Sequence, residues 1–159
     1  MYCRSVATLS FETKRMAESG CALMFGTTGL DGSISAGRAW GLTVSQDRQH
    51  VRLLLCRGQS EVALAHLAQN PWLAITFTTM RNFHAMQLKG RVQAIAASTP
   101  EDAEVNRAWV RAFIDDVEAI GVPVGPFSRA IMTVDTAIDV AVERVFIQTP
   151  GPHAGVEVR

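Results

Sequence analysis

Between His50 and Arg91 the sequence leaves little choice of local structure. His50-Val-Arg-Leu-Leu-Leu-Cys56 is a short apolar run bounded by polar residues, which predicts a largely buried strand. Arg57-Gly-Gln-Ser60 breaks it, and Ser60 is placed to cap a helix, its side-chain oxygen accepting an orphan backbone N–H. Val62, Leu64, Ala65 and Leu67 give that helix an apolar stripe up to Asn70-Pro71. Trp72-Leu-Ala-Ile-Thr-Phe-Thr78 is rich in aromatic and β-branched residues. From Met86 to Ala94, Met86, Leu88, Gly90 and Val92 alternate with Gln87, Lys89, Arg91 and Gln93, the pattern of a strand with one polar face.

The flanking segments extend this into a sheet. Ser10 caps a short helix through Ser19, with Glu12 near its positive end and Gly20 at its stop. Cys21-Ala-Leu-Met-Phe25 and Ser33–Val44 read as two strands joined by the turn Gly29-Leu-Asp-Gly32. In the second arm Ile34, Ala36, Arg38, Trp40, Leu42 and Val44 share one face. Ser33, Ser35, Gly37, Ala39, Gly41 and Thr43 leave the other nearly bare. A bare face admits a flat ligand or another backbone, or else it accommodates bulky neighbours in a tapering barrel. Five strands thus fall in residues 21–97, one helix lying between the third and fourth. Thr99-Pro100-Glu-Asp starts a long helix whose Ala103, Val110, Phe113, Ile114, Val117 and Ile120 face inward. Ala130–Val134 and Val140–Ile147 read as one or two strands, and the segment from Thr149 to Gly155 ends regular structure.

A chain of 159 residues buries roughly 68–70% of its unfolded surface, enough for one domain spanning residues 1–159 without staples. Fifteen basic residues balance fifteen acidic ones, so there is no one-sided positive field for nucleic acid. No run approaches the ~18 apolar residues of a membrane helix. Met1-Tyr-Cys-Arg-Ser-Val lacks the layout of a secretory signal, and the cytoplasm is the expected compartment. Cys3, Cys21 and Cys56 are odd in number and widely spaced, which predicts buried thiols rather than disulfides or a metal centre. His50, His66, His84 and His153 show no paired ligand spacing and are expected to be structural or solvated. Asp115-Asp116 point about 100° apart on their helix and read as a solvated face. Phosphate-loop, dinucleotide, zinc-protease and serine-hydrolase motifs are missing.

The order and spacing of Thr28–Trp40, Leu55-Cys-Arg-Gly-Gln-Ser60, Gln87-Leu-Lys-Gly-Arg91 and Gln148-Thr-Pro-Gly-Pro152 resemble the FMN-binding split-barrel superfamily related to pyridoxamine phosphate oxidase. The resemblance covers nearly the whole chain. It implies a mostly β, antiparallel split barrel with flanking helices, a homodimer, and FMN at the subunit interface serving an oxidoreductase that acts on a small-molecule substrate. Haem, a deazaflavin, or a noncatalytic binding role are the alternatives. Carried over position by position, Arg38, Ala39 and Trp40, Leu55 and Cys56, Ser60, and Gln87 with Lys89 form the expected cofactor site, with no catalytic side chain assigned. The sequence departs from the oxidase at Glu61 and Val62, where that enzyme has two cations, at Thr43 in place of a lysine, and at Ala85 in place of a glutamine. No counterpart of its C-terminal tryptophan and arginine follows Ile147, which argues against pyridoxine biosynthesis.

Overall fold

The structure is a computed structural model that describes residues 6–125 and 132–158. Ser10 opens α1 (Phe11–Ala17), its hydroxyl accepting the Thr13 N–H at 3.0 Å. The chain then forms β1 (Ala22–Thr28), β2 (Ile34–Arg38), β3 (Leu42–Val44) and β4 (His50–Leu55). After a single 3-10 turn come α2 (Glu61–Leu67), β5 (Trp72–Thr78), β6 (Ala85–Ala97), α3 (Pro100–Ala119), β7 (Thr136–Ile147) and the short β8 (Glu157–Val158). The strands pair antiparallel in the order β2-β1-β5-β6-β7-β4-β3, with β8 beside β7.

The two ends of this order, β2 and β3, come from one stretch of chain. Residues 33–44 read as a single strand, but the structure breaks it at residues 39–41. There the Ala39 N–H bonds Leu23 O on β1 at 3.2 Å and the Trp40 N–H bonds Leu54 O on β4 at 2.9 Å. Consecutive amides thus reach opposite edges of the sheet and roll it into a barrel. The bare face of the arm settles the choice left open above. A Cβ on Gly37 would lie 2.5 Å from the Phe25 ring, and one on Gly41 would lie 2.8 Å from the Leu54 side chain. On β2 small residues admit bulky core neighbours and Ile34, Ala36 and Arg38 look out to solvent; beyond the corner the sides exchange, so Leu42 and Val44, expected on the face of Arg38, are buried.

Alternate residues of the strands fill the interior, with Leu23, Phe25, Leu53, Leu55, Leu73, Ile75, Phe77, Leu88, Ile138 and Val140 all buried in one cluster. Two irregularities in the β6–β7 register, at Lys89/Gly90 and Val92/Ala94, bend the long strands around that cluster. α3 seals one end. Its Trp109 Nε1 donates to Cys21 O at 3.2 Å, and Thr99 and Asp102 cap its start reciprocally. Arg52 on β4 grips Asp102 through Nε and Nη2 (2.9 and 2.8 Å) and Asp139 on β7 through Nη1 (2.8 Å).

Several expectations are corrected. In α2, Leu67 is buried and Leu64 packs on the core as anticipated, but Ala63 and His66 complete the inward face in place of Ala65, which is exposed, and Val62, which is 60% exposed. Its roughly two turns lie on β1 and β2, so the face is set by the hairpin beneath it. Asp116 is paired with Arg81 Nε at 2.7 Å instead of solvated. Of the tail strand expected at Ala130–Val134, residues 130 and 131 lie outside the described residues and the remainder is irregular. The chain also regains a strand after Gly155, because the Gly155 N–H turns back onto Ile147 O and aligns β8 with β7. Cys21 is buried, and burial pushes its thiol up to about 12, which makes it inert at neutral pH. Cys3 lies outside the described residues.

Leu53→Ala and Ile75→Ala should each cost about 2–5 kcal/mol, since both side chains are wholly buried on interior strands. Denaturant unfolding that places either variant within 1 kcal/mol of wild type would contradict the facing described here. The Arg52 guanidinium, ahead of the Thr99 N–H, holds the Asp102 carboxyl below the usual carboxylate range. A folded-state value below the unfolded one contributes stability above pH about 4 that is lost as pH falls through the folded value. Asp102→Asn should therefore be less stable at pH 7 and lose less stability than wild type between pH about 4 and about 2, read by urea unfolding at each pH.

Candidate functional site

Cross-strand partners share a face, so the register carries the candidate residues into rows across the outside of the barrel. One row runs Arg38, Met24, Thr76, Gln87, Phe146 over β2, β1, β5, β6 and β7. Gln87 Nε2 donates to Thr76 Oγ1 at 2.9 Å, which spends its amide along the row. Arg38 and Gln87 are three strand spacings apart, about 14 Å at the backbone. The next row is Ala36, Gly26, Ala74, Lys89, Arg144. Lys89 Nζ lies 4.9 Å from the Phe146 ring. Gln87 and Lys89 thus occupy Arg38's face of the sheet but stand apart from it.

Arg38, Ala39 and Trp40 lie at the barrel's corner, and the end of β4 at Leu55, followed by Cys56, runs beside it. The Arg38 guanidinium lies over the rings of Trp40 (5.3 Å) and Phe113 (5.7 Å), which meet edge to face at 5.5 Å. It makes no ion pair or hydrogen bond among the described residues. Ala39 and Trp40 are buried, and their N–H groups are consumed by the corner. Trp40 O accepts from Asn106 Nδ2 at 2.7 Å, the same amide also reaching Met132 O at 2.9 Å. Leu55 O accepts the Asp135 N–H, and Cys56 O accepts the Gln59 N–H.

Ser60 departs from expectation. It occupies the N-cap position of α2, yet its side chain makes no capping bond, because φ −133° and ψ 15° lie outside the extended region that aims a cap hydroxyl at the first turn. The residue is 4% exposed, and its Oγ has no hydrogen-bond partner among the described residues. Trp40 Nε1 is the second such atom, also buried. An unpartnered buried hydroxyl costs about 1–3 kcal/mol. Both atoms belong to residues that the resemblance assigns to the cofactor. Of the departures from the oxidase, Glu61 and Val62 are exposed and Thr43 is half-buried.

A second polar cluster went unforeseen. His66 Nδ1 lies 3.1 Å from Thr27 Oγ1 and Nε2 lies 3.1 Å from Ser33 Oγ, which in turn contacts Asp31 Oδ1 at 2.5 Å. The Ser33 hydroxyl and N–H hold the Asp31 carboxyl below its ordinary range. A carboxylate only accepts, so Ser33 donates to Asp31 and its oxygen accepts from His66 Nε2–H. That polarity is the reverse of an activated serine. The cluster fastens α2 to the β1–β2 hairpin. The spacing Ala63, His66, Leu67 along the helix was the available signal, masked by the more apolar Val62.

Comparison with known proteins places this architecture. No protein-family model matches the sequence, and no curated protein does. Among solved structures, a pyridoxamine 5'-phosphate oxidase candidate from Lactobacillus delbrueckii superposes with TM-score 0.55 at 14% identity, covering 87% of this chain and 93% of its own. The fold is that of the pyridoxamine 5'-phosphate oxidase-like split barrels. An F420 reductase matches with TM-score 0.55 at 13% identity over 86% of this chain and 98% of its own. An FMN-binding protein from Syntrophomonas wolfei matches with TM-score 0.54 at 5% identity over 84% and 81%. At such identities the likeness is one of split-barrel backbone.

Ser60→Ala separates the two roles of that hydroxyl. A capping serine would lose about 1 kcal/mol on truncation, whereas an unpartnered one should leave the ligand-free protein as stable as before or stabler by up to about 1 kcal/mol. Thermal and urea unfolding of the ligand-free variant read the sign directly.

Proposed function

We propose that the protein is a flavin-binding split-barrel oxidoreductase that holds FMN, with the phosphate taken by Arg38 and the Ser60 hydroxyl. The observation that carries this reading is the buried Ser60 Oγ without a partner among the described residues, taken with an Arg38 guanidinium that forms no ion pair among them. A phosphate oxygen accepts from a serine hydroxyl and from the planar guanidinium fork, which suits both vacant donors. Trp40 and Phe113 hold Arg38 from one side and keep its fork outward. Bound FMN would supply the electron-accepting ring, and the chain's residues need only bind and orient it. The absence of a nucleophile–base pair among the described polar clusters fits such a division of labour, since Ser33 and His66 are oriented against it.

The homodimer belongs to this proposal. Ile34 is 84% and Met24 48% exposed on the outer face that also carries Arg38, apolar surface of the kind an obligate interface covers. The likeness to an F420 reductase keeps a deazaflavin as the second reading, because the two cations missing at Glu61 and Val62 leave a weaker grip on a terminal phosphate. The cytoplasm is the compartment proposed, and no helix among the described residues is long and apolar enough to cross a membrane.

Apo protein titrated with FMN by fluorescence quenching should bind it, and Arg38→Ala should weaken binding by about 10- to 150-fold, the worth of a hydrogen bond to a charged group. Arg38→Lys should rescue in part, since an ammonium cannot reproduce the fork. The melting temperature of apo Arg38→Ala should stay near wild type. Unchanged FMN affinity in that variant would remove Arg38 from the site, and tighter binding of a deazaflavin than of FMN would select the second reading.

A further inference from the structure

Away from the corner, the outer face of β1, β5 and β6 carries a trough of about 340 Å³, lined by Gly26, Thr28, Trp72, Ala74, Lys89 and Arg144 among others. Its size falls in the range of small-molecule sites. The register explains why it exists. Gly26 and Ala74 are cross-strand partners, and Ala74 is partnered by Lys89. Two adjacent strands thus present almost no side chain, and the third presents a cation.

The chemistry at the edges is specific. Trp72 forms a wall, and Arg91 stacked 4.6 Å over its ring is itself fixed by Glu143 Oε1 at 2.9 Å. That arginine is neutralised, and so is Arg144, whose Nε and Nη2 reach both oxygens of Glu157 (3.1 and 2.7 Å). Lys89 has no carboxylate partner and no hydrogen bond among the described residues, and only the Phe146 ring faces its ammonium. A trough with one aromatic wall, a flat floor and one uncompensated positive charge is complementary to a flat ring bearing a single negative charge.

We propose that this trough binds an aromatic monoanion, an aryl carboxylate or its equivalent, with the ring against Trp72 and the anion on Lys89. The floor decides the size of ligand admitted. A Cβ on Gly26 would meet nothing closer than Ser35 O at 3.8 Å, so nothing in the barrel's packing demands glycine there. The site does not rest on the flavin reading, and it draws Lys89 away from the cofactor set in which the resemblance placed it.

Equilibrium dialysis of the full chain with 1-naphthoate and with neutral 1-naphthylmethanol tests the assignment. Naphthoate should bind about 10-fold or more tightly than the alcohol, as a hydrogen-bonded charge contact implies. Lys89→Gln, at a half-buried position, should abolish the preference while retaining weak binding of both. Gly26→Val should melt at or above the wild-type temperature, because valine favours strands, and should lose naphthoate binding about 10-fold or more by filling the floor. Equal affinity for the two probes, no naphthoate binding at millimolar concentration, or unaltered binding in a folded Gly26→Val would each overturn the proposal. FMN titrated in parallel keeps the two sites distinct: naphthoate binding by a protein that takes no flavin would refute the flavin reading and leave this one standing.

Discussion

The corner at residues 39–41 is the constraint on which the rest of the molecule depends. A sheet whose outermost strands were separate segments could stay open, and its edges would template association. Here β2 and β3 are one continuous run, and the Ala39 and Trp40 amides are committed to β1 and β4 in succession. Closure is therefore covalent as well as hydrogen-bonded. It requires small residues at Gly37 and Gly41, because the backbone must come down onto Phe25 and Leu54. It also delivers Trp40 and Arg38 to the end of the barrel where α3 packs. Asn106 holds Trp40 O from that helix, while the Arg52 bridge between Asp102 and Asp139 clamps the helix start to β4 and β7.

Polar satisfaction divides the molecule sharply. Asp102, Thr27, His66 and Asn106 are all buried or nearly so and all bonded. Ser60 Oγ and Trp40 Nε1 are not. Among the described residues no other buried side-chain nitrogen or oxygen lacks a partner, so these two vacancies are local and not a general looseness of packing. The outer face shows the same contrast in charge. Arg91 and Arg144 have carboxylates, whereas Arg38 and Lys89 rest on aromatic rings with their donors outward.

Much of the barrel was legible from residue order. The runs His50–Cys56 and Trp72–Thr78 emerge as strands within a residue of their expected ends, and the caps at Ser10 and Thr99 form as their sequences suggest. The misreadings share one cause, which is that a neighbouring element set the outcome. Val62 would make a good inward residue on an isolated amphipathic helix. The hairpin under α2 instead offers Thr27 and Ser33 as partners, and His66 turns inward to meet them. Ser60 has the right residue type and position for a cap, but the preceding 3-10 turn fixes its backbone where the hydroxyl cannot reach the helix.

What the sequence by itself determined is the local periodicity and turn chemistry, and hence a mostly antiparallel sheet with two capped helices and a helix inserted after the third strand run. These follow from interactions a few residues long, such as alternation of side chains, proline at a helix start and the Asp-Gly turn. Tertiary structure alone decided that residues 33–44 bend to close the barrel, that the inward side changes at the bend from Gly37 on β2 to Leu42 and Val44 on β3, and that Arg38, Gln87 and Lys89 spread over adjacent rows of one outer face. Those outcomes depend on which strands become neighbours, and pairing register is a relation between segments distant in sequence that no single segment encodes.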